Sequence, residues 1–152
     1  MSSKESSGQD DVFDLADFAL SQSAMMQVVA PAGKINWTWE FSGPGHPKTI
    51  EQRDKANRKL LHKERLQQQA IINGKKWVEP EKDPAIEREN NVQFVAGRLI
   101  DWSPISFAGK PYPFSEENAR KLLLDPNYEW LLSQAVNFLV DDNSFTKRSE
   151  NK

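Results

Sequence analysis

Residues able to do acid, base or ligand chemistry are few in this chain, and they are scattered. It has two histidines and no cysteine. His46 lies in a Gly/Pro-rich stretch and His62 in a charged run. Neither has a sequence neighbour that would tune it for proton transfer, and the pair lacks the companions a zinc site needs. The segment Gly43, Pro44, Gly45, His46, Pro47, Lys48, Thr49 invites comparison with a phosphate loop, whose backbone amides cradle phosphates while a lysine reaches them. The comparison fails, because Pro47 stands where a glycine should precede the lysine and both prolines lack an N–H. Glu116 and Glu117, like Asp141 and Asp142, are sequence neighbours and do not share a helix face; capping and solvation account for them. No catalytic grouping results. The expectation is a binding or assembly protein, not an enzyme, with no metal and no cofactor.

The composition points the same way. A chain of 152 residues fits one domain. With 28% charged residues, 38% apolar residues and a mean hydropathy of -0.71, it is wetter than a compact globule of this length needs to be, which predicts an elongated shape or disordered ends. A net charge of -2 gives no overall attraction to nucleic acid or to an acidic membrane. The lack of cysteine fits a reducing compartment. The Ser-rich, acidic N-terminus is not a secretory signal, and no apolar run approaches the roughly 20 residues that cross a bilayer. These readings predict a soluble cytoplasmic protein without a membrane partner.

The elements that must position any site follow from local pattern. Residues 1–11 read as a disordered tail. Residues 12–21 carry Val12, Phe13, Leu15, Phe18 and Leu20, and read as a short helix, either a docking arm for a partner or a helix packed on its own core. Residues 25–41 read as a β-hairpin turning at Pro31 to Lys34. In its second strand Trp37, Trp39 and Phe41 alternate with polar residues and share one face. That face belongs either to the core or to a partner, since an isolated hairpin is marginal in water. Residues 42–47 form a hinge.

A long helix over 47–73 opens at Pro47 and closes at Asn73-Gly74. Its apolar stripe is narrow and uneven, so it is largely exposed. Its many cations form either a solvated face or a nucleic-acid contact. Residues 77–82 read as a charged linker. Asp83-Pro84 starts a helix to about 101, and Ser103-Pro104 ends it. Residues 105–114 turn at Ala108-Gly109-Lys110. Ser115 caps a helix over 115–124, broken at Asp125-Pro126, and a last helix covers 127–140. Residues 92–145 thus form a small packed unit holding both tyrosines. A flexible tail occupies 146–152. The fold expected is mainly α: a helical C-terminal bundle with a long charged helix and a small N-terminal β-hairpin, in a single elongated domain over 12–145.

The order of these features resembles the small tail assembly chaperones of tailed bacteriophages. The resemblance spans about residues 13–147. It rests on Phe41-Ser-Gly-Pro-Gly-His-Pro-Lys-Thr-Ile50, Asn73-Gly-Lys-Lys-Trp77, Ile100-Asp-Trp-Ser-Pro104, Tyr112-Pro-Phe-Ser-Glu-Glu-Asn118 and Leu122-Leu-Leu-Asp-Pro126. It implies a protein that binds the tape-measure or tail-tube protein in the host cytoplasm during tail morphogenesis, contacts copies of itself as a homo-oligomer, and leaves the finished particle. The alternatives are a minor tail or head–tail protein that stays in the virion and, less favoured, a nucleic-acid-binding accessory using residues 48–76. Buried aromatic anchors dominate interface energetics. The partner-binding candidates are therefore the Trp37, Trp39 and Phe41 face and the Trp102, Tyr112 and Phe114 corner.

Overall fold

The structure is a computed structural model that describes residues 12–78 and 83–146. The expected N-terminal tail at 1–11, the linker at 79–82 and the C-terminal tail from 147 lie outside the described residues. Strands β1 (Ser23–Ala30) and β2 (Gly33–Ser42) pair antiparallel across the two-residue turn Pro31-Ala32. Gly33 closes that turn at φ +135, a conformation L side chains rarely adopt. Next comes α1 (Pro47–Ile72), then α2 (Pro84–Arg98), which runs directly into β3 (Leu99–Trp102). The minimal hairpin β4 (Ser106–Phe107) and β5 (Lys110–Pro111), then α3 (Glu116–Leu124) and α4 (Glu129–Val140), complete the order.

The main sheet has the order β1-β2-β3, antiparallel throughout. A mainly helical fold is thereby overturned: the described residues are 56% helix and 20% strand, a mixed α/β architecture with a three-stranded and a two-stranded sheet. The reason lies at residues 99–102. Leu99 and Ile100 continue the apolar spacing of Val95 and Ala96, which by pattern alone extends the helix. Leu99 is instead the C-cap, at φ -76 and ψ 127. Two forces favour the extended form. Pro104 disfavours helical geometry in the residue before it. The free edge of β2 also has backbone groups that need partners: Trp102 pairs with Trp39, and the Ser103 N–H donates to the Thr38 carbonyl at 2.9 Å.

Period-two alternation places Ala24, Met26, Val28, Trp37, Trp39 and Phe41 on one face, which α2, α3 and α4 cover to make the core. The opposite face keeps Met25 and Asp101 exposed. On the β1 edge the Gln134 amide of α4 stands in for a neighbouring strand. Its Oε1 accepts from the Val29 N–H at 3.0 Å and its Nε2 donates to the Val29 carbonyl at 3.2 Å. A covered edge cannot template pairing with another chain.

Helix α1 is fixed to the body at its base. His46 is the N-cap, its Nδ1 accepting from the Lys48 N–H at 3.1 Å, and Pro47 opens the first turn. A buried Ser42–Thr49 hydroxyl pair at 2.7 Å and two hydrogen bonds from Gln52 Nε2 to the Gln93 and Phe94 carbonyls fix the first turns against α2. Gly97 makes this approach possible, because a Cβ there would collide with the Gln52 amide. Thr49 is the only buried residue of α1. At 1.5 Å per residue the helix is roughly 39 Å long, and most of its residues are exposed.

Candidate partner-binding surface

The six aromatic candidates are brought together, but inside the molecule. Trp39 and Phe41 are 0% exposed and Trp37 and Trp102 are 6% exposed; Tyr112 and Phe114 are partly buried against them. The rings interlock: Trp37 lies edge-on to Trp39 at 5.2 Å and Trp102 at 5.4 Å, while Trp102 meets Phe114 edge-on at 5.2 Å and stacks with Tyr112 at 5.9 Å. Edge-to-face and offset contacts of this kind suit the ring quadrupoles. Polar tips are mostly paired. Trp37 Nε1 donates to the Ser103 carbonyl at 3.0 Å, Trp102 Nε1 to the Tyr112 carbonyl at 3.2 Å, and the Tyr112 hydroxyl to the Asn118 carbonyl at 2.9 Å. Trp39 Nε1 is buried without a partner among the described residues. A client could reach this cluster only by prising the helices off the sheet. The partner face read from the hairpin and from the 102–114 corner is therefore core. The alternation demanded a cover without naming it, and the helices after residue 84 supply it.

The titratable groups do not converge. Among the described residues no group of three His, Cys, Asp or Glu could hold a metal ion. His46 caps α1, and His62 lies sixteen positions along the same exposed helix. Glu116 and Glu117 occupy the first turn of α3 behind the Ser115 cap, and Asp141 caps the last 3-10 turn. The Gly/Pro stretch packs on its own chain. Gly43 N–H donates to the Gln22 carbonyl at 2.7 Å and His46 N–H to the Gly43 carbonyl at 3.1 Å, leaving those amides unavailable to phosphate.

Arg98 is the one buried charge among the described residues. Its Nε and Nη2 donate to the Ser42 carbonyl at 3.1 and 2.6 Å, and its guanidinium lies over the Phe145 ring at 5.4 Å and the Phe94 ring at 6.0 Å. Burial lowers its pKa from the ordinary arginine value, yet arginine stays charged in proteins. Burial raises the Tyr112 pKa, partly opposed by nearby Lys121.

Much of the exposed apolar material lies on two protrusions, with Met25, Ile86 and Val140 exposed elsewhere. Residues 12–20 form an arm holding a 3-10 turn, Leu15–Phe18, capped by Asp14, and no residue of that turn is buried. Phe13 is 75% and Leu15 83% exposed; the Phe13 and Phe18 rings touch edge-on at 6.0 Å. The short helix read at 12–21 is thus a 3-10 turn with no buried residue, while Leu20 and Ser21 at the end of the segment pack against the core. On α1, Ile50, Leu61 and Ile72 recur every eleven residues, as do Leu60 and Ile71 beside them. Eleven residues make close to three turns, so these exposed side chains lie along one side. No helix among the described residues is long and apolar enough to cross a membrane.

The α1 stripe was visible in the sequence but looked uneven, because its members are spaced by eleven rather than by three and four. Residues that sequence reasoning missed include Phe94 and Arg98, which line the cleft between α1 and α2. No local signal marks them, since the two sides of the cleft are about 40 positions apart in the chain. No known protein family, curated protein or solved structure matches the chain.

Proposed function

We propose that the protein is a non-catalytic assembly chaperone that holds an aggregation-prone client, of the tape-measure or tail-tube kind, during phage tail morphogenesis. The observation that carries the proposal is the separation of two apolar populations. The aromatic core is closed by its own helices, while Val12, Phe13, Leu15 and Phe18 on the arm and Leu60, Leu61, Ile71 and Ile72 on α1 stay open to solvent. The resemblance to tail assembly chaperones supplies the class of client.

The energetics suit a releasable complex. Complete burial of a large apolar side chain stabilises by about 1.5–3 kcal/mol. Partial cover of half a dozen such residues gives roughly 10 kcal/mol gross, set against an association cost of about 4–15 kcal/mol. The surplus is small, which favours reversible capture over permanent assembly.

Co-expression with tape-measure and tail-tube proteins, followed by affinity capture, tests this. Capture should succeed, and should fail for Leu60→Gln plus Leu61→Gln with unchanged circular dichroism. Capture that survives this double substitution and Phe13→Ser plus Leu15→Ser would remove both protrusions from consideration. Mass analysis of purified particles should find no copies, whereas stoichiometric persistence would establish a structural virion component instead.

A further inference from the structure

Charge is segregated along this chain. Nine Lys or Arg and three Asp or Glu fall within residues 48–76, an excess of six positive charges, so with a total of -2 the remainder carries -8. The structure concentrates part of this excess in the cleft between α1 and α2, a groove of about 1250 Å³. Five α1 cations between Lys48 and Lys59, joined by Arg98, line it against the two carboxylates Glu51 and Glu116, an excess of four. Glu51 already pairs with Lys55 at 3.7 Å. Phe94, partly buried, gives the groove an apolar element.

The N-terminal arm has the complementary character. Asp14 and Asp17 give it two negative charges, Asp10 and Asp11 precede it in the sequence, and no Lys or Arg occurs between Lys4 and Lys34. Its exposed Phe13, Leu15 and Phe18 match an apolar element flanked by cations. We infer that the α1–α2 groove is the docking site for the N-terminal arm of a second copy of this chain. The inference stands independently of the identity of any client.

A second copy fits better than the same molecule. The arm is rooted at Ser21, whose N–H and Oγ both donate to the Phe145 carbonyl and whose Oγ also reaches the Ser23 carbonyl at 2.8 Å. Those bonds fix its exit, and in that geometry the arm is exposed. In that geometry the arm lies outside its own groove, whereas a neighbour's groove accepts the arm as it stands. An arm and a groove at different places on one surface are compatible with reciprocal exchange in a two-fold dimer as well as with head-to-tail rings or open chains. Nucleic acid is the poorer occupant. Phosphate backbone is uniformly anionic, gains nothing from Phe94 and meets Glu51 and Glu116.

Sedimentation velocity over a concentration series provides the test. The wild type should associate with rising concentration, and less so at 0.5 M salt, where the Debye length falls to roughly 4 Å. Asp17→Lys in the arm together with Asp11→Lys just before it in the sequence, which spares the Asp14 cap, or Arg58→Glu plus Lys59→Glu in the groove, should each weaken association about tenfold or more, near 1.4 kcal/mol. An equimolar mixture of the two variants should recover it, because one supplies a native arm and the other a native groove. A monomer at every concentration up to about 1 mM, unaltered association in either variant, or a mixture that fails to recover would overturn the inference. So would low-salt binding of a DNA duplex that the groove variant loses and the arm variant keeps, with no self-association, since the groove would then be a nucleic-acid site.

Discussion

Trp39 and Trp37 carry the same ring two positions apart, and their replacement by phenylalanine should have unequal effects. Each change removes ring atoms from a packed cluster and leaves a gap, costing about 1–2 kcal/mol. At Trp39 the change also removes a buried indole N–H that has no partner among the described residues. An orphaned buried donor costs about 1–3 kcal/mol, so its removal offsets the gap. Trp39→Phe should therefore stay within about 1 kcal/mol of the wild type. At Trp37 the same change breaks the bond to the Ser103 carbonyl. That adds about 0.5–1.5 kcal/mol to the loss, for a total near 2–3 kcal/mol. The gap between the variants is about 2 kcal/mol, or roughly 6 °C in midpoint for a chain of this length. Urea unfolding followed by circular dichroism at 222 nm avoids the change in tryptophan fluorescence. Equal destabilisation of the two variants would refute the reasoning, because the Trp39 N–H would then have a hydrogen-bond partner in solution.

Gly43→Ala should destabilise by about 2–3 kcal/mol through overpacking, since the new Cβ would collide with the Ser21 carbonyl, which is backbone held in place by the Phe145 contact. Gly45→Ala should cost less than about 1 kcal/mol, because its Cβ would meet only the mobile end of Gln22 at 3.3 Å; chemical denaturation of both variants checks the contrast. Tyr112 predicts alkaline sensitivity. Its folded pKa is raised by burial, so its contribution is complete below the ordinary tyrosine pKa near 10 and is lost as pH rises through the folded value. Tyr112→Phe should abolish that component of the decline above about pH 10; parallel decline of the wild type and the variant would show that Tyr112 is not its source.

Local chemistry was legible in the sequence, and distant pairing was not. Asp83 with Pro84, and Ser115 ahead of two glutamates, sit at the N-caps of α2 and α3, because a cap is decided within four residues. The alternation of Trp37, Trp39 and Phe41 marked a one-faced strand for the same reason. Strand β3 escaped, since Leu99 and Ile100 fit a helical period and only the free edge of β2, some 60 residues earlier, draws them into a sheet. The closing of the aromatic face was likewise a long-range matter. Its six residues looked like anchors for a partner, because aromatic side chains suit cores and interfaces equally. The α1–α2 groove was hidden, and the choice between a docking arm and a packed helix at 12–21 left open, by the converse limitation: apolar spacing shows what can be buried, not what the rest of the chain leaves uncovered.

Hydrogen exchange of the protein alone and in complex with a captured tail protein tests the central claim most directly. New protection should concentrate in residues 12–18 and 50–72, with β1, β2 and β3 unchanged. Protection confined to the sheet and its aromatic cluster, with the arm and α1 exchanging as freely as before, would contradict it.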